Sequence, residues 1–237
     1  MAKEPVIFTT NQVSELASRV LENYRRKTSE GEEDKAKASP KRYVISLAGV
    51  PGAGKSTFSE AVVKELNKTI KSAILPQDGF HLYRTELQKL PNPEEAIIRR
   101  GAPFTFNAKA FVDLVSKLNH PQYLVEVLKA PSFDHRLKDP VEDDIHIEAD
   151  TKIVIVEGNY VSLEDEYWNE ISSYVDETWF VKTDMDVVRE RIVKRHLAAG
   201  IARNEKEAIE RADGSDLVNA HYILKHSKPT DVIIVTE

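Results

Sequence analysis

The chain contains no cysteine. Disulfides, thiolate metal ligands and cysteine nucleophiles are excluded, and a reducing, cytoplasmic setting is allowed and expected. No apolar run approaches the roughly 18 residues that a membrane-spanning helix needs. Met1 to Thr10 lacks a basic stretch followed by a long apolar one, so no signal peptide is expected. Blocks of basic residues interleaved with aromatics are missing too, and the formal net charge is −6. Neither nucleic acid nor a membrane surface is therefore an expected partner. No internal repeat is present. What remains is a chain of 237 residues, 41% hydrophobic, enough for one α/β domain with a single core.

Glycine is sparse as well, at nine residues, yet three of the nine are Gly49, Gly52 and Gly54. They belong to Gly49-Val50-Pro51-Gly52-Ala53-Gly54-Lys55-Ser56, which fits the phosphate-binding pattern G-x-x-x-x-G-K-[ST]. The context supports the motif. Tyr43 to Ala48 is an apolar, β-branched run that reads as a buried strand. After Lys55, residues Phe58, Ala61, Val62 and Leu66 recur at helical spacing. Glycines let the backbone turn and approach a ligand, and the turned N–H groups form an anion nest at a helix N-terminus. Lys55 is placed to reach the β- and γ-phosphates of a nucleotide and the Ser56 hydroxyl to ligate Mg²⁺, while Thr57 continues the first turn. The loop alone does not separate a kinase from a GTPase, a motor or a transporter subunit.

The rest of the chain supplies candidates in order. Residues 11–27 carry an apolar stripe (Val13, Leu16, Ala17, Val20, Leu21, Tyr24) and read as an amphipathic helix that docks on the domain, capped by Asn11. Residues 28–40 hold no large apolar side chain and read as a polar linker, and the catalytic domain is expected over 41–237. Ser72 to Pro76 reads as a strand ending at Asp78. In an open parallel sheet that position lines the ligand crevice, where a carboxylate can take a proton from an attacking hydroxyl or hold a metal. Asp78-Gly79 is also a common turn pair. A short helix ends in Arg99 and Arg100, which suit either an anionic or hydroxyl-rich substrate or the negative end of the helix. Asn107 caps a helix with Phe111, Val112, Val115 and Leu118 on its core face. Residues 123–131 and 144–147 alternate like strands around a polar tip, Asp134-His135-Arg136, where His135 is a candidate for touching substrate. Lys152 to Gly158 is the clearest strand. Its β-branched run delivers Glu157 to the nucleotide end of the sheet, where it can act on Mg²⁺ or its water. A helix near 164–172 and a strand over 177–181 follow. Asp186 then opens a helix with Arg189, Arg191, Arg195 and His196, and Asn204 caps another through Arg211. The segment 186–212 reads as a lid whose guanidinium groups suit phosphate oxygens. The last strand is 231–235.

With these residues in hand, the chain resembles the uridine kinase, pantothenate kinase and phosphoribulokinase group of P-loop kinases over about 41–236. The resemblance rests on Gly49 to Ser56, Gln77-Asp78-Gly79-Phe80, Phe133-Asp134-His135, Val156-Glu157-Gly158 and Arg189 to His196. The stretches Arg100 to Phe106 and Phe133 to Pro140 are similar to a uridine kinase-like branch of that group. What the resemblance implies is a P-loop NTPase fold: a mostly parallel five-stranded sheet flanked by helices, with a substrate hairpin and a helical lid. It also implies ATP and Mg²⁺ as cofactors. Asp78 would be the general base, and Ser56, Asp78 and Glu157 would surround the metal. His81, Arg100 and His135 would face the acceptor. Lys55, Arg191 and Arg195 would stabilise charge on the transferred phosphoryl group. The acceptor would be a hydroxyl of a small metabolite, a uridine-like nucleoside first, then pantothenate, a sugar or a phosphosugar. Two readings compete. A regulatory GTPase would carry Asn-Lys-x-Asp, but Asn67-Lys68 is followed by Thr69-Ile70. A non-catalytic nucleotide-binding scaffold would use the N-terminal helix to hold a partner. A homo-oligomer is compatible with the sequence and not required by it.

Overall fold

Strand β2 (Tyr43–Gly49) is buried along its whole length, as an apolar run in the middle of a parallel sheet must be. The computed structural model describes residues 4–29, 41–134 and 136–237. Of the linker expected over 28–40, Thr28 and Ser29 belong instead to the end of a helix, and residues 30–40, like His135, lie outside the described residues. Chain order before β2 is β1 (Val6–Thr9) and α1 (Val13–Ser29). After it come α2 (Lys55–Leu66), β3 (Ser72–Pro76), α3 (Arg84–Leu87), α4 (Pro93–Ile98) and α5 (Ala108–Lys117). Strands β4 (Leu128–Asp134), β5 (Asp139–Ile147), β6 (Ile153–Glu157) and β7 (Glu177–Lys182) follow. The chain ends with α6 (Met185–Ala198), α7 (Glu205–Arg211), α8 (Leu217–His226) and β8 (Val232–Val235).

The main sheet has the order β1-β8-β7-β2-β6-β3, with every pair parallel. Helices flank it, and β4 and β5 form a separate antiparallel hairpin. Register brings the chemistry together. Leu47 and Pro76 both lie opposite Glu157, so the loop after β2, the turn after β3 and the end of β6 open at one edge of the sheet.

The sheet has six strands where five were expected. The addition, β1, is a four-residue run at the edge, with Ile7 66% exposed. So short a run, half in solvent, carries little pattern of its own. Parallel pairing with β8, remote in sequence, makes it a strand. Helix α1 packs against α2 through the buried Leu16, Ala17 and Val20. Three further expectations shift. Residues Pro121–Leu124 form a 3₁₀ turn, so the hairpin starts at Leu128. The expected helix near 164–172 is only a 3₁₀ turn, Trp168–Ser173. Helix α8, not anticipated, is entered through a π-helical turn at Ala212–Asp216.

The hairpin touches the sheet edge where the chain is smallest. A Cβ on Gly79 would stand 1.9 Å from the Pro131 carbonyl oxygen. Backbone cannot yield that distance without the hairpin moving. Gly79→Ala is expected to cost about 2 kcal/mol and to lower Tm by about 5 °C, read by thermal unfolding. An unchanged Tm would mean that the hairpin rides freely on the turn.

Candidate active site

The phosphate loop ends on left-handed glycines, Gly52 at φ 77° and Gly54 at φ 92°. Gly54 is the N-cap of α2, and its conformation turns the loop back over the helix N-terminus. Lys55 is buried beneath it. Its Nζ donates to the Val50 carbonyl at 3.0 Å and to Asn159 Oδ1 at 2.6 Å. Ser56 Oγ donates to Glu157 Oε1 at 2.9 Å. Glu157 is 8% exposed. Burial pushes its carboxyl above the usual range, while the Lys55 charge and the Ser56 hydrogen bond pull it back. Asp78 is exposed in the turn after β3, and its charge acts on both Lys55 and Glu157.

Burial pushes Lys55 down to about 8, against the opposing pull of Glu157 and Asp78 and with a further depression from Arg195. The sign follows from linkage. The folded state binds this proton less tightly than the unfolded chain does. Lys55 therefore costs stability below pH ~8, a cost relieved as pH rises toward ~10.5. An incoming phosphate restores the cationic form. Mg·ADP affinity is thus expected to be about tenfold lower at pH 9 than at pH 7, with proton uptake near pH 8. Calorimetry in two buffers of different ionisation enthalpy reads this directly. Affinity flat across that window would place the Lys55 titration elsewhere.

The lid arginines part company. Asp184, not Asp186, is the N-cap of α6; its side chain accepts from the Asp186 N–H at 2.9 Å. Asn204 caps α7 as expected, accepting from the Glu207 N–H at 2.9 Å. Arg191 Nη1 lies 3.5 Å from the carbonyl oxygens of Gly52 and Ala53. Arg195 Nη2 donates to Asp216 Oδ1 at 3.2 Å. Arg189 instead makes a two-pronged pair with Asp213, at 2.7 and 2.9 Å. Of the three, Arg191 borders the phosphate loop directly, and the Arg195 charge reaches Lys55.

On the other side of Asp78, the His81 ring packs between Phe106 and Phe133, with centroids 4.0 and 4.6 Å away. Its Nδ1 is 2.8 Å from the Asp78 carbonyl oxygen. Arg100 is placed differently from the expectation that it faces an acceptor. Its Nη2 donates to Leu82 O at 2.9 Å and to Asp139 Oδ1 at 3.0 Å, Nη1 donates to Lys138 O, and the guanidinium sits 5.5 Å over Phe133. It ties the hairpin to the segment after β3. Two residues to which the sequence assigns no role belong to the centre, Asn159 and the motif residue Gln77. Asn159 holds Lys55, and Gln77, 1% exposed, accepts from the Tyr160 N–H at 3.0 Å through Oε1. Their sequence signal was proximity alone: Gln77 precedes Asp78, and Asn159 follows Glu157-Gly158.

The donors near Ser56 and Glu157 are all oxygen, and among the described residues no group of three or more His, Cys, Asp or Glu side chains could hold a metal. The Ser56 hydroxyl and the Glu157 carboxylate are hard oxygen donors of the kind that Mg²⁺ takes. A phosphate loop on a parallel sheet, a carboxylate on the neighbouring strand and an arginine-bearing helix over the loop define a P-loop kinase. Residues 44–236 match the Phosphoribulokinase / Uridine kinase family, and the chain belongs to it. A Schizosaccharomyces pombe protein provisionally named a uridine kinase is 39% identical over 81% of this chain and 83% of its own length. An ATP-dependent kinase-like protein of Aspergillus versicolor is 40% identical over 66% of this chain and 92% of its own. A crystal structure from Silicibacter sp. TM1040, provisionally a fructose transport system kinase, superposes with a TM-score of 0.78 at 29% identity. It covers 95% of this chain and 98% of that one. Family membership implies ATP as the nucleotide. Among the described residues, no helix is long and apolar enough to cross a membrane.

Proposed function

We propose that the protein transfers the γ-phosphoryl group of ATP to a hydroxyl of a small metabolite, with a uridine-like nucleoside as the favoured acceptor. One observation carries the reading: an exposed Asp78 stands at the sheet edge beside the Lys55–Asn159 and Ser56–Glu157 pairs, whose Lys55 and Glu157 are buried. A carboxylate open to solvent next to a phosphate cradle can receive an acceptor from outside while the nucleotide sits in the loop. Asp78 takes the proton of the acceptor hydroxyl, the oxygen forms its bond to the γ-phosphorus, and the bond to the ADP oxygen breaks. Lys55 and Arg191 hold charge on the phosphoryl oxygens, and Arg195 joins them from Asp216. Ser56 and Glu157 would hold Mg²⁺, with Asp78 in reach, and the ion would neutralise charge on the phosphates. His81 shapes the acceptor side, and Arg100 positions the hairpin beside it. In this reading strand β1 and helix α1 brace the domain.

The test is product formation from Mg·ATP with uridine, cytidine, pantothenate, fructose, glycerate and ribulose 5-phosphate. A phosphorylated nucleoside is the expected outcome. A phosphorylated sugar or glycerate alone would keep the kinase and reject the nucleoside. No product from any acceptor, with Mg·ATP still bound, favours the non-catalytic scaffold.

A further inference from the structure

Helix α8 and the loop after α4 face each other across a cavity of about 580 Å³, within the size of small-molecule sites. Neither the phosphate loop nor Asp78, Glu157, Arg191 or Arg195 lines it. Its walls are apolar: Ala102, Pro103 and Phe104 on the loop, Val218 and Tyr222 on α8. Phe104 is 48% exposed and lines the same cavity as Tyr222.

The charged groups in the lining are Arg99, Lys225 and Asp165, two cations against one carboxylate. Among the described residues the Arg99 side chain makes one hydrogen bond, Nη2 to Asn219 Oδ1 at 3.1 Å. Its Nε is buried with no acceptor, and no carboxylate pairs with it among the described residues. A guanidinium half withdrawn from water and so poorly partnered is a strong donor left waiting for an anion. Lys225, at the rim, has no ion pair among the described residues either. The one carboxylate, Asp165, is engaged by the Tyr222 hydroxyl at 2.8 Å. The His221 Nδ1 is 2.8 Å from the Leu217 carbonyl, and the His226 ring stacks on Tyr222 at 4.4 Å.

We propose that this cavity binds an organic anion with a flat apolar body, its charge toward Arg99 and Lys225 and its body between Phe104 and Tyr222. The site is built by α8 and the loop, so its existence does not rest on the kinase reading. It is wired to the centre nonetheless. The Tyr160 hydroxyl donates to the Gly101 carbonyl, and the charges of Arg99 and Asp78 both act on that hydroxyl. Arg100, next in the chain, holds the hairpin. A ligand here is either the far end of the acceptor or a separate effector; the chemistry is the same for both.

The test is calorimetric titration of the full chain, saturated with Mg·ADP so that the phosphate loop is filled. The probe is 2-naphthoate, with 2-naphthalenemethanol as the neutral counterpart. Naphthoate is expected to bind more tightly than the alcohol. Lys225→Glu and Phe104→Ala are each expected to weaken it about tenfold. Both side chains are exposed, so the variants should melt with the wild type. No binding up to the solubility of the probe, or equal binding to wild type and both variants, overturns the site. Any acceptor that the panel identifies is then titrated against bound naphthoate. Competition assigns the cavity to the far end of the acceptor, and simultaneous binding assigns it to an effector. A panel with no product at all would remove the kinase reading and leave the naphthoate result standing.

Discussion

Asp78→Asn is expected to lower acceptor-dependent kcat about a thousandfold, within the range that a positioned general base contributes. Asparagine keeps the size and much of the hydrogen bonding of aspartate but cannot take the proton that the acceptor must lose. The position is well suited to a clean measurement. Asp78 is exposed in a 3₁₀ turn, and a surface substitution of equal shape leaves stability within about 0.5 kcal/mol. Mg·ADP affinity should stay within about threefold, because the phosphate cradle is built by Gly49 to Ser56 and not by Asp78. A variant with wild-type kcat would move the base to another group. A variant that lost nucleotide binding and turnover together would show that Asp78 mainly serves the nucleotide.

The parts of this centre that were legible in the sequence are those whose partners lie within a few residues. The phosphate loop announces itself because strand, glycines, lysine and helix are contiguous, and Glu157 because the run Ile153-Val154-Ile155-Val156 leads into it. Partnerships across the fold were not legible. Asn159 meets Lys55 from 104 residues away, and Asp216 meets Arg195 across the lid. Arg100 shows the limit well. Its charge could be read, but whether Asp139 or a substrate would use it could not. Helix α8 is hard to read from sequence because its N-cap, Asp216, is itself helical and makes no side-chain cap hydrogen bond. It continues from α7 through the π turn at Ala212–Asp216, where Asp213 and Asp216 are presented to Arg189 and Arg195. Strand β1 went unseen because the strand it pairs with, β8, lies at the other end of the chain.

Arg191→Gln is expected to cut kcat about a thousandfold, at the lower end of what a transition-state arginine contributes in phosphoryl transfer. Of the three lid-segment arginines, Arg191 is the one whose guanidinium lies against the phosphate loop. Contacts of 3.5 Å to the Gly52 and Ala53 carbonyls are at the limit of hydrogen bonding. They steer the guanidinium over the loop without neutralising it. Arg189 is spent on Asp213, and Arg195 must first leave Asp216. A glutamine at 191 preserves reach and hydrogen bonding but not the charge that develops on the phosphoryl oxygens in the transition state. Mg·ADP has no γ-phosphate, so its affinity should stay within about threefold, whereas Mg·ADP with aluminium fluoride, a mimic of the transferring group, should bind far more weakly to the variant. A loss of kcat under about tenfold, with the fluoride complex intact, would shift the role to Arg195. Asp216→Ala would then separate the two arginines. With its carboxylate gone, Arg195 is free to reach the loop, and the fluoride complex should tighten.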